Sequence, residues 1–145
     1  MDRLVSIITP TYNSEKYIAS TIQSVQNQSY KNWELHIIDD CSTDDTVEIV
    51  NNLIKKDDRI HLHIMPLNKG TGEARNIGVA HSKGTYISFL DSDDLWKPNK
   101  LEDQLEFMNK NNLPFTFSFY DCIAEDGTNL NIRKEAPSMI TYKKL

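Results

Sequence analysis

The sequence predicts an α/β fold with a mostly parallel central sheet and helices on both of its faces. Short apolar, β-branched runs alternate along the chain with stretches in which apolar residues recur at helical spacing. This order places consecutive strands side by side and parallel. The length of 145 residues suits one ordinary core, so we expect residues 1–145 to form a single domain.

The first half of the chain predicts two strand–helix units. Val5–Ile8 is apolar and β-branched, as in a buried strand, and Ser14 then offers an N-cap for a helix. Trp33–Ile38 is the second strand, after which Ser42 and Asp45 have the spacing of a capping box. Apolar residues at helical spacing are Tyr17, Ile18, Ile22 and Val25 in the first helix, up to about Gln28, and Val47, Val50, Leu53 and Ile54 in the second.

The second half predicts three further strands, two helices and a short final strand. Apolar residues alternate with His61 and His63 in the third strand, so both histidines are expected on the surface or against a helix, with no convergence on a ligand. Gly84 ends the third helix, and Pro98 begins the fourth. The expected elements are strand Ile60–Ile64, helix Glu73–His81, strand Tyr86–Leu90, a helix with Leu101, Leu105 and Met108 inward, a fifth strand Phe115–Tyr120, a turn at Glu125–Thr128 and a strand near Leu130–Arg133.

Composition excludes several classes of protein. A net charge of −5 without a basic block gives nucleic-acid binding little support. Two distant cysteines do not make a disulfide framework. The apolar runs fall short of the roughly 20 residues of a membrane span, so we expect a cytoplasmic protein, at most at the inner face of a membrane. Residues Thr141–Leu145 have the pattern of a helix start, which indicates truncation on the C-terminal side.

Acidic residues follow two of the predicted strands directly, where ligands bind in parallel sheets. Asp39-Asp40 ends the second strand, and Asp91 to Asp94 end the fourth. In an extended segment Asp91 and Asp93 would point the same way, and such oxygen ligands suit Mg²⁺ or Mn²⁺. The alternative is a solvated turn that caps the following helix. Two other acidic pairs, Asp44-Asp45 and Asp57-Asp58, are expected to be structural.

The end of the first strand lacks the glycines of a dinucleotide site, and the chain has no P-loop. Tyr12 could instead stack on a flat base while Asp40 accepts a hydrogen bond from an imide N–H; the alternative for Tyr12 is a half-buried core aromatic. Arg75 opposes the dipole of its helix, which indicates a phosphate or carboxylate partner or a simple ion pair with Glu73 or an aspartate. Lys69 and the N–H groups of residues 70–72 could hold a diphosphate.

Four segments together resemble the family 2 glycosyltransferases, in particular bacterial surface-polysaccharide members of the teichuronic-acid type. The segments are Val5–Asn13, Glu34–Asp44, Ala74-Arg75-Asn76-x-Gly78 and Gly84–Asp94, and the resemblance covers residues 4 to about 100. It implies the GT-A fold, a Rossmann-like nucleotide-sugar-binding arrangement. It further implies transfer of a sugar, with inversion, from a nucleotide diphosphate donor, expected to be UDP-linked, to a polysaccharide or glycolipid acceptor.

The resemblance also implies roles for individual residues. The nucleotide site would comprise Pro10, Tyr12, Asn13, Asp39, Asp40, Lys69, Arg75 and Asp91. Asp91 and Asp93 would form the catalytic DXD motif, with Asp93 and Asp94 as ligands of Mn²⁺ or Mg²⁺. The general base would lie beyond this chain, so we expect the 145-residue piece to bind donor but turn over poorly. The full enzyme would meet a saccharide or lipid-linked acceptor, with peripheral membrane association.

Two other functions remain open at this point. A non-catalytic nucleotide-binding or interaction module, including a homodimer, would use apolar surface left by a truncated sheet. A phosphotransferase or phosphatase would use Asp91 as its nucleophile, but Leu95 stands where a small hydroxyl residue would help to hold phosphate.

Overall fold

The computed structural model describes residues 3–135. The elements are β1 (Val5–Thr11), α1 (Ile18–Gln26), β2 (Trp33–Asp39), α2 (Thr46–Ile54), β3 (Ile60–Ile64), α3 (Thr71–His81), β4 (Tyr86–Phe89), α4 (Lys100–Asn111), β5 (Tyr120–Ile123) and β6 (Asn129–Lys134). They form two compact units, Met1–Asp103 and Gln104–Leu145. The predicted helix start at Thr141–Leu145 lies outside the described residues. Within residues 3–135, no helix has the length and apolar character needed to cross a membrane.

The first unit contains a parallel four-stranded sheet in the order β3-β2-β1-β4. Every residue of β1 and β2 is buried, as expected for central strands covered on both faces. β1 pairs with β2 as far as Thr11, and in this register Pro10 lies opposite Ile38. The pairing of β1 with β4 ends earlier, at Ile8 opposite Phe89. The strand order reverses between β1 and β4, which places a crevice at the carboxyl ends of these two strands.

Helices cover both faces of this sheet, as predicted. On one face α3 packs against a cluster of Ile8, Ile38 and Met65, and a Cβ at Gly78 of α3 would overlap the Ile8 side chain. Because side chains alternate along a strand, Ile7 points to the opposite face, where it is fully buried. The apolar residues that α1 and α2 bury completely are Ile18, Ile22, Val25 and Val50.

The two predicted helix caps are wrong. Ser14 does not cap α1 with its side chain; its carbonyl accepts the N–H of the first helical residue, and Tyr17 occupies the N-cap position. The capping box of Ser42 and Asp45 is absent, because Asp44 accepts both the N–H and the hydroxyl of the first residue of α2, at 3.0 and 2.6 Å. A neighbouring acceptor in the same acidic run therefore replaces the predicted cap.

The predicted fifth strand, Phe115–Tyr120, is also wrong in place and pairing. In the second unit the strand is β5, Tyr120–Ile123, and it pairs antiparallel with β6, which confirms the short strand expected near Leu130–Arg133. The turn between them is closed by the Ala124 N–H, which donates to the carbonyl of Thr128 at 2.8 Å, and by Gly127 at φ +84°. A local turn of this kind joins neighbouring strands directly, without a crossover to a parallel sheet.

Candidate functional site

The crevice at the ends of β1 and β4 receives the loops that follow these strands. Tyr12, directly after β1, is 50% exposed, so part of its ring is accessible to a ligand. Asn13 follows in the left-handed region, at φ +49°. Its side-chain oxygen accepts the Thr43 N–H at 2.8 Å, and its own N–H donates to the hydroxyl of Ser42 at 2.9 Å. Asn13 therefore ties the loop after β1 to the loop after β2.

Asp39 and Asp40, at the end of β2, are both buried, at 1% and 4% exposure. The two carboxylate oxygens of Asp40 accept the N–H groups of Lys69 and Gly70, each at 2.7 Å. Asp39 accepts the N–H of Ser42 at 2.9 Å through Oδ2, while its Oδ1 is buried without a hydrogen-bond partner among the described residues. Asp40 thus holds the loop that enters α3, a role that its position in the sequence did not reveal.

This contact corrects one part of the predicted diphosphate site. The N–H groups of Lys69 and Gly70 donate to Asp40, so they are not free donors for a phosphate. The Lys69 side chain is exposed. Gly72 lies in the first turn of α3, where the N–H groups have no acceptor within the helix.

The acidic cluster after β4 forms a turn, so of the two arrangements that the sequence left open the extended segment is wrong. The N–H of Asp94 donates to the carbonyl of Asp91 at 3.1 Å, so Ser92 and Asp93 are the central residues of the turn. Asp94 is exposed overall, but its surroundings partly desolvate the carboxyl group. This desolvation, with the neighbouring charges of Asp93 and Asp91, raises the pKa of Asp94.

Arg75 supplies the positive charge at this cluster. Its Nη2 donates to Oδ1 of Asp91 at 2.7 Å, and its guanidinium lies 5.8 Å from the centre of the Phe89 ring. Of the partners that the sequence left open, an aspartate is therefore confirmed, and this aspartate belongs to the acidic cluster. The side chains of Arg75 and Asp91 are 39% and 51% exposed, so both remain accessible to a ligand.

The cluster does not make a complete metal site by itself. Among residues 3–135, no three His, Cys, Asp or Glu side chains converge closely enough to hold a metal ion. The oxygen-only donors of Asp93 and Asp94 nevertheless fit Mg²⁺ or Mn²⁺, which take one or two carboxylates and complete their coordination with substrate phosphates and water. A ligand with phosphates would therefore have to supply the remaining donors.

Away from the crevice, the four histidines form a cluster that the sequence analysis missed. The register of β2 and β3 places His36 beside His61, and Nδ1 of His36 lies 3.1 Å from Nε2 of His63. The ring of His63 stacks on that of His81 in α3, with 4.1 Å between centroids. Burial lowers the pKa of His36; burial and the neighbouring histidines lower the pKa of His63 to about 4. The expectation that His63 packs against a helix is confirmed, and the mutual contacts of the four rings are a feature that the sequence did not predict.

The acidic pairs expected to be structural have structural contacts. Asp57 accepts Nε and Nη2 of Arg59 at 2.9 and 2.8 Å, and these hydrogen bonds lower the pKa of Asp57 to about 2. Asp44 binds the first turn of α2 as described above.

Residues 6–144 match the family described as "Glycosyl transferase family 2". A Bacillus subtilis (strain 168) protein named "Putative teichuronic acid biosynthesis glycosyltransferase TuaG" is 48% identical over 139 residues, which are 96% of this chain and 55% of that protein. The Escherichia coli protein named "UDP-Glc:alpha-D-GlcNAc-diphosphoundecaprenol beta-1,3-glucosyltransferase WfgD" is 44% identical over 144 residues, which are 99% of this chain and 55% of that protein. The chain thus spans about half the length of these curated relatives.

Among solved structures, S. aureus TarS 1–349 in complex with UDP-GlcNAc superposes with a TM-score of 0.70 at 33% identity. The similarity covers 74% of this chain and 32% of the TarS chain. The GT-A fold implied by the four sequence segments is therefore confirmed. With the family match over nearly its whole length, this chain belongs to glycosyl transferase family 2.

Proposed function

We propose that this chain is the donor-binding part of an enzyme that transfers a sugar from a nucleotide diphosphate, with UDP as the preferred nucleotide, to a surface polysaccharide or glycolipid acceptor. The observation that carries the proposal is the crevice at the ends of β1 and β4. There the accessible Tyr12 and Arg75, the latter paired with Asp91 at 2.7 Å, accompany a turn of exposed carboxylates. Tyr12 suits a nucleobase, Arg75 suits a diphosphate, and the carboxylates suit a cation. The UDP-GlcNAc bound by TarS supports the choice of nucleotide.

In this proposal the loops after β1 and β2 hold the nucleobase. Tyr12 stacks on the base, with Pro10 and Asn13 beside it. Asp40 accepts the imide N–H of uracil, since each of its oxygens has a second lone pair beyond its bond to a backbone N–H. The buried and unpaired Oδ1 of Asp39 offers a further acceptor at the same edge.

The groups at the end of β4 and in α3 hold the diphosphate end of the donor. Asp93, with Asp94, would bind Mn²⁺ or Mg²⁺, which when bound stabilises negative charge on the leaving diphosphate as a Lewis acid. Asp91 faces the ribose and donor sugar and keeps Arg75 directed toward the phosphates through their 2.7 Å contact. Lys69, whose exposed side chain is free to reorient, adds positive charge at the mouth of the crevice.

Transfer also requires a general base that takes the proton from the acceptor hydroxyl. We assign no such base within residues 3–135 and place it in the part of the enzyme beyond the span matched here. The piece of 145 residues is therefore expected to bind donor and to turn over poorly. The name of WfgD specifies a diphosphoundecaprenol-linked acceptor, which supports a lipid-linked acceptor and peripheral membrane association for the whole enzyme.

The test is calorimetric titration of the chain with UDP in the presence and absence of Mn²⁺. We expect Mn²⁺ to strengthen UDP binding and Asp93→Ala to abolish that gain. Asp58→Ala, which removes an exposed acid from the loop before β3, serves as the control and should leave the gain intact. Binding of UDP that is unaffected by Mn²⁺, or that keeps its Mn²⁺ dependence in Asp93→Ala, would contradict the proposal.

An interaction module is the second candidate function, and one observation favours it. Ile87 and Phe89 of β4 are 44% and 49% exposed, and β4 pairs on one side only within the described residues. A homodimer could cover this surface. Light scattering that shows a dimer, together with no affinity for UDP, would favour the module over the transferase.

A further inference from the structure

Ser92, the central residue of the DXD motif, has its hydroxyl and its carbonyl bound to the segment that contains α1. Its hydroxyl lies 2.8 Å from the hydroxyl of Ser14, and its carbonyl accepts the hydroxyl of Thr21 at 2.8 Å. Ser14 and Thr21 are 7% and 1% exposed, whereas Asp91 and Asp93 on either side of Ser92 are exposed. The middle of the motif is thus attached to the core, and its two carboxylates extend to solvent.

The segment that holds Ser92 is itself fixed in place. The N–H of Ser14 donates to the hydroxyl of Thr46 in α2 at 2.8 Å. The turns on either side of Thr21 bury Ile18 and Ile22 completely. Downstream of the motif, the N–H of Trp96 donates to the hydroxyl of Ser24, also in α1, at 3.2 Å. α1 therefore supports the acidic turn both at its centre and beyond its end.

The bond from Thr21 acts on the peptide group that determines where Asp93 points. In a β-turn the two common forms differ by a flip of the central peptide, here the peptide between Ser92 and Asp93. The flipped form requires a positive φ at the third position, and Asp93 does not have one. By holding the Ser92 carbonyl on the side of α1, the Thr21 hydroxyl keeps this peptide in one orientation.

We propose that Thr21, together with Ser14, is a positioning residue for the metal-binding carboxylate of Asp93 and acts through the Ser92 peptide. The proposal rests on the proposed function, because it assumes that Asp93 binds the cation. Without the Thr21 hydroxyl, the turn can open or flip. The carboxylates of Asp93 and Asp94 then no longer face the diphosphate in one fixed arrangement. The base-binding residues after β1 and β2 keep their own contacts.

The proposal predicts a selective loss in Thr21→Val, which keeps the shape of the side chain and removes its hydroxyl. The affinity for UDP in the presence of Mn²⁺ should fall by about three- to tenfold, as expected when one buried hydrogen bond to a carbonyl is lost. The affinity for UDP without Mn²⁺ should not change. Thr21→Ser, which retains the hydroxyl, should restore the Mn²⁺-dependent affinity. Ser20→Ala, at an exposed position next to Thr21 in α1, is the control and should bind like the unmodified chain.

The outcomes separate this proposal from the proposed function. If the unmodified chain shows no Mn²⁺-dependent UDP binding, the proposed function fails before Thr21 is tested. If it does, an unchanged Mn²⁺ dependence in Thr21→Val, an equal loss with and without Mn²⁺, or a failure of Thr21→Ser to rescue would overturn the positioning role. Should Thr21→Val not fold, Ser92→Ala replaces it, since this change removes only the contact with Ser14. A smaller loss confined to Mn²⁺-dependent affinity is then expected, and no loss would overturn the proposal.

Discussion

Arg75 donates to Asp91 over 2.7 Å and so joins α3 to the acidic turn after β4, although the two residues are 16 positions apart in the chain. The pair places a guanidinium beside carboxylates in the crevice. For that reason Arg75→Gln should weaken UDP binding by about tenfold, the loss expected for a hydrogen bond to a charged group. Uridine, which has no phosphate, should bind as before. Arg133→Gln breaks a 2.7 Å arginine–aspartate contact in the second unit and is the matched control. Equal losses for UDP and uridine would argue against a phosphate contact.

The buried carboxylate of Asp40 should contribute to stability as well as to binding. In Asp40→Asn, one of the N–H groups of Lys69 and Gly70 faces an amide NH₂ and loses its acceptor. We expect the free energy of unfolding to fall by about 1–2 kcal/mol, measured by urea denaturation, because a partly buried donor is left unpaired. Asp58→Asn, at an exposed acid, should change it little. A stability loss no larger than that of the control would show that the loop before α3 does not depend on Asp40.

The histidine cluster should make the fold sensitive to acid. The groups that face one another are Glu34 and His36 of β2, His61 and His63 of β3 and His81 of α3, with Glu34 Oε1 at 3.2 Å from Nε2 of His36. The pKa values of His36 and His63 are lowered in the fold, the latter to about 4, so the unfolded chain binds more protons below pH about 6.5. The contribution of these two histidines to stability should therefore be complete above that pH and be lost progressively down to pH about 4.

Urea denaturation between pH 7.5 and 5 measures this dependence. His63→Phe retains a ring against His81 but removes one titrating group, so its stability should depend less steeply on pH. The range above pH 5 also lies well above the pKa of Asp57, about 2, so that carboxyl group does not titrate there. A dependence on pH as steep as that of the unmodified chain would show that His63 does not carry the effect.

Lys100, in the first turn of α4, should make the stability of the fold depend on pH above pH 7 as well. Its ammonium donates to the hydroxyl of Ser88 at 2.9 Å and lies 3.5 Å from the centre of the Trp96 ring. Burial lowers the pKa of Lys100 to about 7. Since an unfolded lysine keeps its proton up to pH about 10.4, stability should rise as the pH increases from 7 toward 10. In thermal unfolding, Lys100→Met should remove this rise, and Lys110→Met, at an exposed lysine of the same helix, should not.

Two glycines of α3 offer a direct test of how the helix packs on the sheet. A Cβ at Gly78 would overlap Ile8, whereas a Cβ at Gly72 would have no atom within 4 Å. Gly78→Ala should therefore lower the free energy of unfolding by about 1–3 kcal/mol, the range for an overpacked core. Gly72→Ala should leave it unchanged or raise it by up to about 1 kcal/mol, since alanine favours helix. Equal effects of the two changes in urea denaturation would contradict the close approach of α3 to β1.

The sequence predicts the strand and helix order well because most elements of the first unit have an apolar pattern typical of a strand or a helix. Val5 begins a short, mostly apolar and β-branched run that becomes β1, and Ile60 begins an alternating one that becomes β3. The spacing of apolar residues does not show which of several neighbouring side chains accepts the hydrogen bonds at the start of a helix. For this reason Ser42 fails as a cap where Asp44 supplies a nearer carboxylate. Likewise, the apolar residues from Phe115 predict a strand, but β5 begins at Tyr120 and pairs with β6 across the turn at Gly127.

The sequence nominates the residues of the candidate site and an aspartate partner for Arg75, but it does not predict their other contacts. The position of Asp91 after β4 follows from the sequence, while its bond to Arg75 depends on how α3 lies across β1. The bonds from Asp40 to the loop before α3 and the convergence of His36 with His63 depend on strand register. Register and helix placement arise from packing of the whole unit, which no single segment encodes.

Pro10 ends the pairing of β1 with β4 directly before the acidic turn. The carbonyl of Ile8 accepts the N–H of Leu90 at 3.0 Å, and in a parallel ladder the carbonyl of Leu90 would next receive an N–H from position 10 of β1. Proline has no N–H to give. The ladder between β1 and β4 must therefore stop there, while β1 continues beside β2 to Thr11. One imino acid in the central strand thus frees the chain after Leu90 from the sheet and lets Asp91 begin the turn.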